Sequence, residues 1–195
     1  MRTAILGSLG EVSRLTLGGG GIGQIWGDTS HDEAVATLRA ALDAGITVLD
    51  AAPSYRNCEA FIGETFAGRL PAGVKVTTKH QLGTPPLGEV AAGLTNALDA
   101  SLAAMRLERV DLFFLHSNIH ADGFAFAHGD AHKAAFSTAW STYVEAAAPA
   151  FERLKAQGRI GGWGDHRHRG SHSRAVGDGP HAAARRRSGH RQPDG

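Results

Sequence analysis

The sequence predicts an α/β protein built on parallel strands with crossover helices, and two observations carry that prediction. Short, nearly continuous apolar runs, Ile46–Asp50, Val74–Lys79 and Val110–Leu115, alternate with segments of helical periodicity. Each apolar run also ends at, or just before, a reactive polar residue: Asp50, Lys79 and His116. Strands joined through helices form right-handed βαβ units, which close into a barrel or stay open as a doubly wound sheet. Polar residues gathered at the carboxyl ends of successive strands favour the (β/α)8 barrel, whose βα loops meet on one face.

In chain order, residues 2–6 and 11–17 flank Gly7-Ser-Leu-Gly10 and read as an N-terminal hairpin, or as a hairpin running into a first strand. Gly18-Gly-Gly-Gly-Ile-Gly23 reads as a loop. Ser30-His-Asp-Glu33 matches a capping box, with Val35, Leu38 and Leu42 at helical spacing and Gly45 as the stop. A strand over Ile46–Asp50 precedes a short helix over Cys58–Ala67. After the strand at residues 74–79, residues 87–107 place Val90, Leu94, Leu98, Leu102 and Met105 on one helical face. The strand at residues 110–115 is followed by a loop of some two dozen residues, a helix near 143–157 ending at Gly158, and Arg159-Ile-Gly-Gly-Trp163. That makes about five βα units, against the eight of a complete barrel.

The text changes after Gly164. Residues 165–195 hold seven arginines and three aspartates, a charge of +4, which leaves −3 on residues 1–164 because the whole chain carries +1. From residue 165 onward there is no Leu, Ile, Met, Phe, Tyr or Trp, so the segment cannot bury a core and is expected to be disordered. Two parts are therefore expected: a partial barrel over 1–164 and a basic His/Arg-rich tail over 165–195. The abrupt excess of Arg, His, Gly, Ala and Pro reads as an out-of-frame translation of GC-rich DNA joined to a truncated barrel. His166, His168 and His172 as metal ligands, and the arginines as a nucleic-acid contact, lack a ligand framework or a binding fold. No metal, nucleic-acid or membrane partner is expected.

No stretch approaches the roughly 18 apolar residues of a membrane span. The single cysteine, Cys58, excludes an internal disulfide framework and fits a reducing, cytoplasmic setting; it reads as a small helix residue near a surface rather than a reactive thiol.

The polar residues form a chemically coherent set. Tyr55 follows Asp50 by five residues, across a Pro-containing turn, and so lies beside the same strand end. An ammonium near a tyrosine hydroxyl stabilises the phenolate and makes the phenol a better acid at neutral pH. Lys79 would supply that charge, Asp50 would keep the lysine protonated and aimed, and His116 would orient a substrate oxygen. A phenol beside an oriented carbonyl suits hydride transfer, with the hydride drawn from a cofactor. Each residue taken alone also has an ordinary structural reading, as turn former, solvated strand end or packed ring; their joint placement at strand ends favours chemistry. Gly20 and Gly21, with Asp50, are the candidate cofactor contacts, although the glycine run lacks the context of a dinucleotide fingerprint and reads equally as a flexible βα loop. Trp26 is a candidate for the substrate pocket or for packing.

Leu49-Asp-Ala-Ala-Pro-Ser-Tyr-Arg-Asn-Cys-Glu-Ala-Phe-Ile-Gly-Glu64 resembles the D-T-A-x-x-Y-G-x-S-E-x-x-L-G signature of the aldo-keto reductases. Thr77-Thr-Lys-His80 resembles that family's lysine strand and Val110-Asp-Leu-Phe-Phe-Leu-His116 its histidine strand. Ala51, Arg56 and Cys58 stand where the family usually has Thr, Gly and Ser. The resemblance covers roughly residues 1–164. It implies Asp50, Tyr55, Lys79 and His116 as a catalytic tetrad, Tyr55 as general acid, NADPH as hydride donor with NADH left open, and a small carbonyl or alcohol substrate. It also implies that the adenosine phosphate is held by loops after strands 7 and 8. Two other readings stand beside it: a Schiff-base aldolase with Lys79 as nucleophile, and a catalytically inactive or partner-binding remnant.

Overall fold

The computed structural model describes residues 1–127 and 131–165. The predicted tail, apart from Asp165, lies outside the described residues, as do His166, His168 and His172.

The chain opens with an antiparallel hairpin of β1 (Thr3–Ile5) and β2 (Glu11–Ser13), joined through a 3-10 turn at Gly7–Leu9. It then runs into β3 (Leu17–Gly18), the first strand of the main sheet. The glycine run forms a short helix, α1 (Gly19–Ile22), where the sequence suggested a loop. Next come α2 (His31–Asp43), β4 (Val48–Asp50), a 3-10 turn at Pro53–Tyr55, α3 (Cys58–Phe66), β5 (Lys75–His80), α4 (Leu87–Met105) and β6 (Val110–Leu115). The predicted long loop instead contains β7 (Asn118–His120), α5 (Ala131–Ala135) and β8 (Ser137–Ala139), with β7 and β8 pairing in parallel. Helix α6 (Trp140–Thr142), a π-helical turn at Tyr143–Ala147 and α7 (Ala148–Ala156) then lead to β9 (Ile160–Asp165). The π turn has a local cause. Pro149 has no backbone N–H to give and its ring crowds the carbonyl of residue 145, so the backbone widens just before it.

The five-stranded sheet is parallel throughout, in the order β3-β4-β5-β6-β9. The helices lie between sequential strands as crossover connections. Several predicted boundaries have visible causes. Ser30 and Glu33 form the reciprocal capping box of α2, Gly45 leaves that helix at φ 85°, and Gly158 leaves α7 at φ 73°.

Side-chain alternation along the strands places the site. On one face, Leu49, Val76, Phe113 and Leu115 are buried beneath helices that contribute Leu38, Ile62, Val90, Leu94, Leu98 and Phe151. Burying each of these large side chains contributes about 1.5–3 kcal/mol. On the other face, Val48, Asp50, Thr77, Lys79, Leu112, Phe114 and His116 line a single cleft. Its lower part is closed by the N-terminal hairpin, where Leu9 and Val12 pack with Val48, Leu112 and Phe114. In register, Val48 lies lowest, Asp50 and Thr77 are level with Leu112, and Lys79 is level with Phe114, while His116, just past β6, stands at the carboxyl-terminal rim where a barrel has its mouth.

Candidate active site

The cleft has a volume of about 410 Å³ and gathers all four predicted catalytic residues. Asp50 ends β4, and its Oδ1 accepts hydrogen bonds from Thr77 Oγ1 at 2.7 Å and from Lys79 Nζ at 2.7 Å. Lys79 Nζ also donates to the Ala51 carbonyl at 2.9 Å, and its side chain is only 13% exposed. The ammonium then lies over the Tyr55 ring, 4.5 Å from its centre. Sequence reasoning expected it beside the hydroxyl; its bonds to Asp50 and Ala51 hold it against the ring face, a favourable place for a cation. His116, just past β6, meets Tyr55 edge-to-face with ring centres 6.3 Å apart. Its backbone N–H is tied to the His80 carbonyl at 2.7 Å.

The Tyr55 turn is held from behind by the glycine run. A Cβ on Gly19 would stand 2.3 Å from Cys58 Sγ and 2.7 Å from the Asp50 carbonyl, and one on Gly23 would meet the Tyr55 carbonyl at 1.7 Å. These glycines permit close backbone packing, and that contact explains why α1 coils against the turn. Gly20 and Gly21, the predicted cofactor contacts, do not line the cleft: the space beside Gly20 is filled by the indole of Trp26, whose Nε1 would lie 2.6 Å from an added Cβ. Trp26 is 81% exposed and is likewise absent from the cleft lining, with its indole edge beside Gly20. Arg56 adopts φ 49°, in the half of backbone space that favours glycine, and donates to the Gln24 carbonyl at 3.2 Å.

Cys58 is not near a surface, as the sequence suggested, but fully buried at the start of α3. Burial, reinforced by the neighbouring Glu59, pushes its thiol up to about 12, opposed by Lys79. Four further participants were missed. Thr77 and the Ala51 carbonyl complete the Asp50–Lys79 geometry, Asp165 at the end of β9 lines the cleft although it was assigned to the tail, and Glu59 is buried behind β5. Burial raises the Glu59 carboxyl above the usual range, against the lowering effect of the Thr78 hydroxyl bonded to it. Burial lowers His80. Among the described residues no group of three or more His, Cys, Asp or Glu could hold a metal ion, and no helix is long and apolar enough to cross a membrane.

The model of the aldo/keto reductase family matches residues 14–165, well over half of the chain. The chain belongs to the aldo/keto reductase family. An aldo-keto reductase of Mycolicibacterium vanbaalenii is 40% identical over 92 residues, which are 46% of this chain and 31% of that protein. Among solved structures, the glycerol dehydrogenase of Gluconobacter oxydans aligns at a TM-score of 0.59 with 26% identity, covering 84% of this chain and 47% of its own. An aldo-keto reductase of Klebsiella pneumoniae in complex with NADPH aligns at 0.58 with 25% identity, covering 84% and 49%. This aldo/keto reductase chain thus spans about a third of the first of these relatives and about half of the other two.

Proposed function

We propose that the cleft is the reaction site of an NADPH-dependent oxidoreductase that interconverts a small aldehyde or ketone and the alcohol, with Tyr55 as general acid. The observation that supports this most is the placement of the Lys79 ammonium, paired with Asp50 at 2.7 Å and seated over Tyr55, with His116 at the ring's edge.

The residues fit the nicotinamide end of such a cofactor. Phe114, partly exposed in the cleft, offers an apolar wall for a flat ring, while a phenol and an imidazole stand nearby to meet an oxygen. Asp50 and Thr77 would flank it. When bound, the cofactor supplies the hydride. His116 orients the carbonyl oxygen by a hydrogen bond, Tyr55 donates its hydroxyl proton to that oxygen, and Lys79 stabilises the charge left on the phenol ring. Asp50 holds and aims the Lys79 amine through their ion pair, and that pairing argues against a Schiff-base role, in which the nitrogen must be free to attack. The single buried cysteine suits a reducing compartment, so we place the protein in the cytoplasm.

A second reading has its own observation. Among the described residues β3 and β9 each pair on one side only, and such edges offer backbone groups to another chain. On that reading the chain is a partner-binding remnant. Incubating the 195-residue chain with millimolar NADPH and a reactive aldehyde, and following the cofactor's absorbance, separates the two: aldehyde-dependent oxidation supports the reductase, and its absence favours the remnant.

A further inference from the structure

β5 is held from both faces. On the cleft face Thr77 and Lys79 reach Asp50. Thr78, between them, points the opposite way, and its Oγ1 donates to Glu59 Oε1 at 2.5 Å, with both side chains buried. Glu59 is the second residue of α3, the helix that starts immediately after the Tyr55 turn, and it lies near enough to Lys79 to interact with it electrostatically. A carboxyl in a hydrophobic core is costly unless it is bonded, and an alanine or leucine would fill space in the helix–sheet layer without that cost.

We infer that Glu59 is a positioning residue, a buried clamp that ties the helix following Tyr55 to the strand carrying Lys79 and so sets the seating of the ammonium over the ring. The two residues brought together lie on different βα units, and backbone pairing of β4 with β5 stops at Asp50 and Thr77, before either residue is reached. The Glu59–Thr78 bond spans that gap from behind. Its catalytic meaning rests on the Tyr55 reading above, but the clamp itself is tested without cofactor or turnover.

Protons above an aromatic face are shifted upfield, so the Lys79 ε-methylene signal reports the seating directly. NMR spectra of the full chain, with Lys79→Met to assign that signal, should show it upfield of solvated lysines. Glu59→Gln, whose amide oxygen still accepts from Thr78, should keep the shift. Glu59→Ala should move the signal toward that of a solvated lysine and displace the Tyr55 ring resonances, with circular dichroism unchanged. Thr78→Val, which keeps the shape and removes the donor, should do the same and carries the test if Glu59→Ala does not fold. A folded Thr78→Val or Glu59→Ala chain with unmoved signals would overturn the clamp, as would loss of the shift in Glu59→Gln. Failure of the reductase reading would appear instead as absent NADPH oxidation, with the clamp signals intact.

Discussion

Lys79 reaches Asp50 at 2.7 Å, and the two partners are unequally sheltered: the lysine side chain is 13% exposed and the aspartate 29%. Neutralising the more exposed partner therefore strands the more buried charge. Asp50→Asn keeps an acceptor oxygen but removes the counter-charge, leaving the ammonium with neutral partners only, the new amide oxygen and the Ala51 carbonyl, besides the Tyr55 face. Lys79→Met leaves a carboxylate still bonded to Thr77 and partly in water. We expect Asp50→Asn to cost about 2 kcal/mol and Lys79→Met about 1 kcal/mol, between the values for exposed and fully buried pairs. Urea unfolding of both variants at pH 7 checks the order; a larger loss for Lys79→Met would contradict it.

Glu59 makes stability depend on pH with a definite sign. Its folded value is raised, so across the window above the ordinary carboxylate range the folded chain holds a proton that the unfolded chain releases. Stability therefore falls as pH rises through that window, and Glu59→Gln removes this component. The variant should gain on the natural chain between pH 4 and pH 8 in urea titrations. An unchanged difference at the two pH values would mean that the carboxyl titrates alike folded and unfolded.

Cys58 should resist thiol reagents. With the thiol pushed to about 12 and fully buried, it has almost no thiolate at pH 8 and no access. Labelling by a disulfide reagent should be at least about 100-fold slower in buffer than in denaturing urea. Equal rates would place Cys58 at a surface after all.

Phe113 and Phe151 meet edge-to-face beneath the sheet with ring centres 5.3 Å apart, and Phe151 stacks on Trp163. Phe113→Ala should lose about 3–5 kcal/mol by opening a cavity at the centre of the main core. Thermal unfolding measures it, and a loss near that of a surface substitution would show that the core can collapse around the gap.

These residues also show what the sequence makes legible. Asp50, Lys79 and His116 could be read because a strand's side chains alternate and its carboxyl end is marked where the apolar run stops. Helices α2, α3 and α4 could be read because their apolar faces and caps are local. The β7–β8 pair could not: its strands are three residues each, too short for alternation to mark them, so only tertiary pairing defines them. Glu59 escaped because a glutamate in the first turn of a helix is ordinarily a solvated residue favouring the dipole; its burial depends on Thr78, far along the chain. The glycines were legible as conformationally special, but their reason, room for the Tyr55 turn and Cys58, lies across a contact that spacing alone does not reveal.

Whether the Tyr55 hydroxyl supplies the proton in a carbonyl reduction is decided by a single substitution. Aldehyde-dependent NADPH oxidation is measured for the 195-residue chain and for Tyr55→Phe, which keeps the ring under Lys79 and beside His116 but has no proton to give. We expect slow but measurable turnover in the natural chain, and a fall of about 10²–10⁴-fold in the variant, the usual worth of a positioned general acid. Equal turnover in the two chains would contradict it.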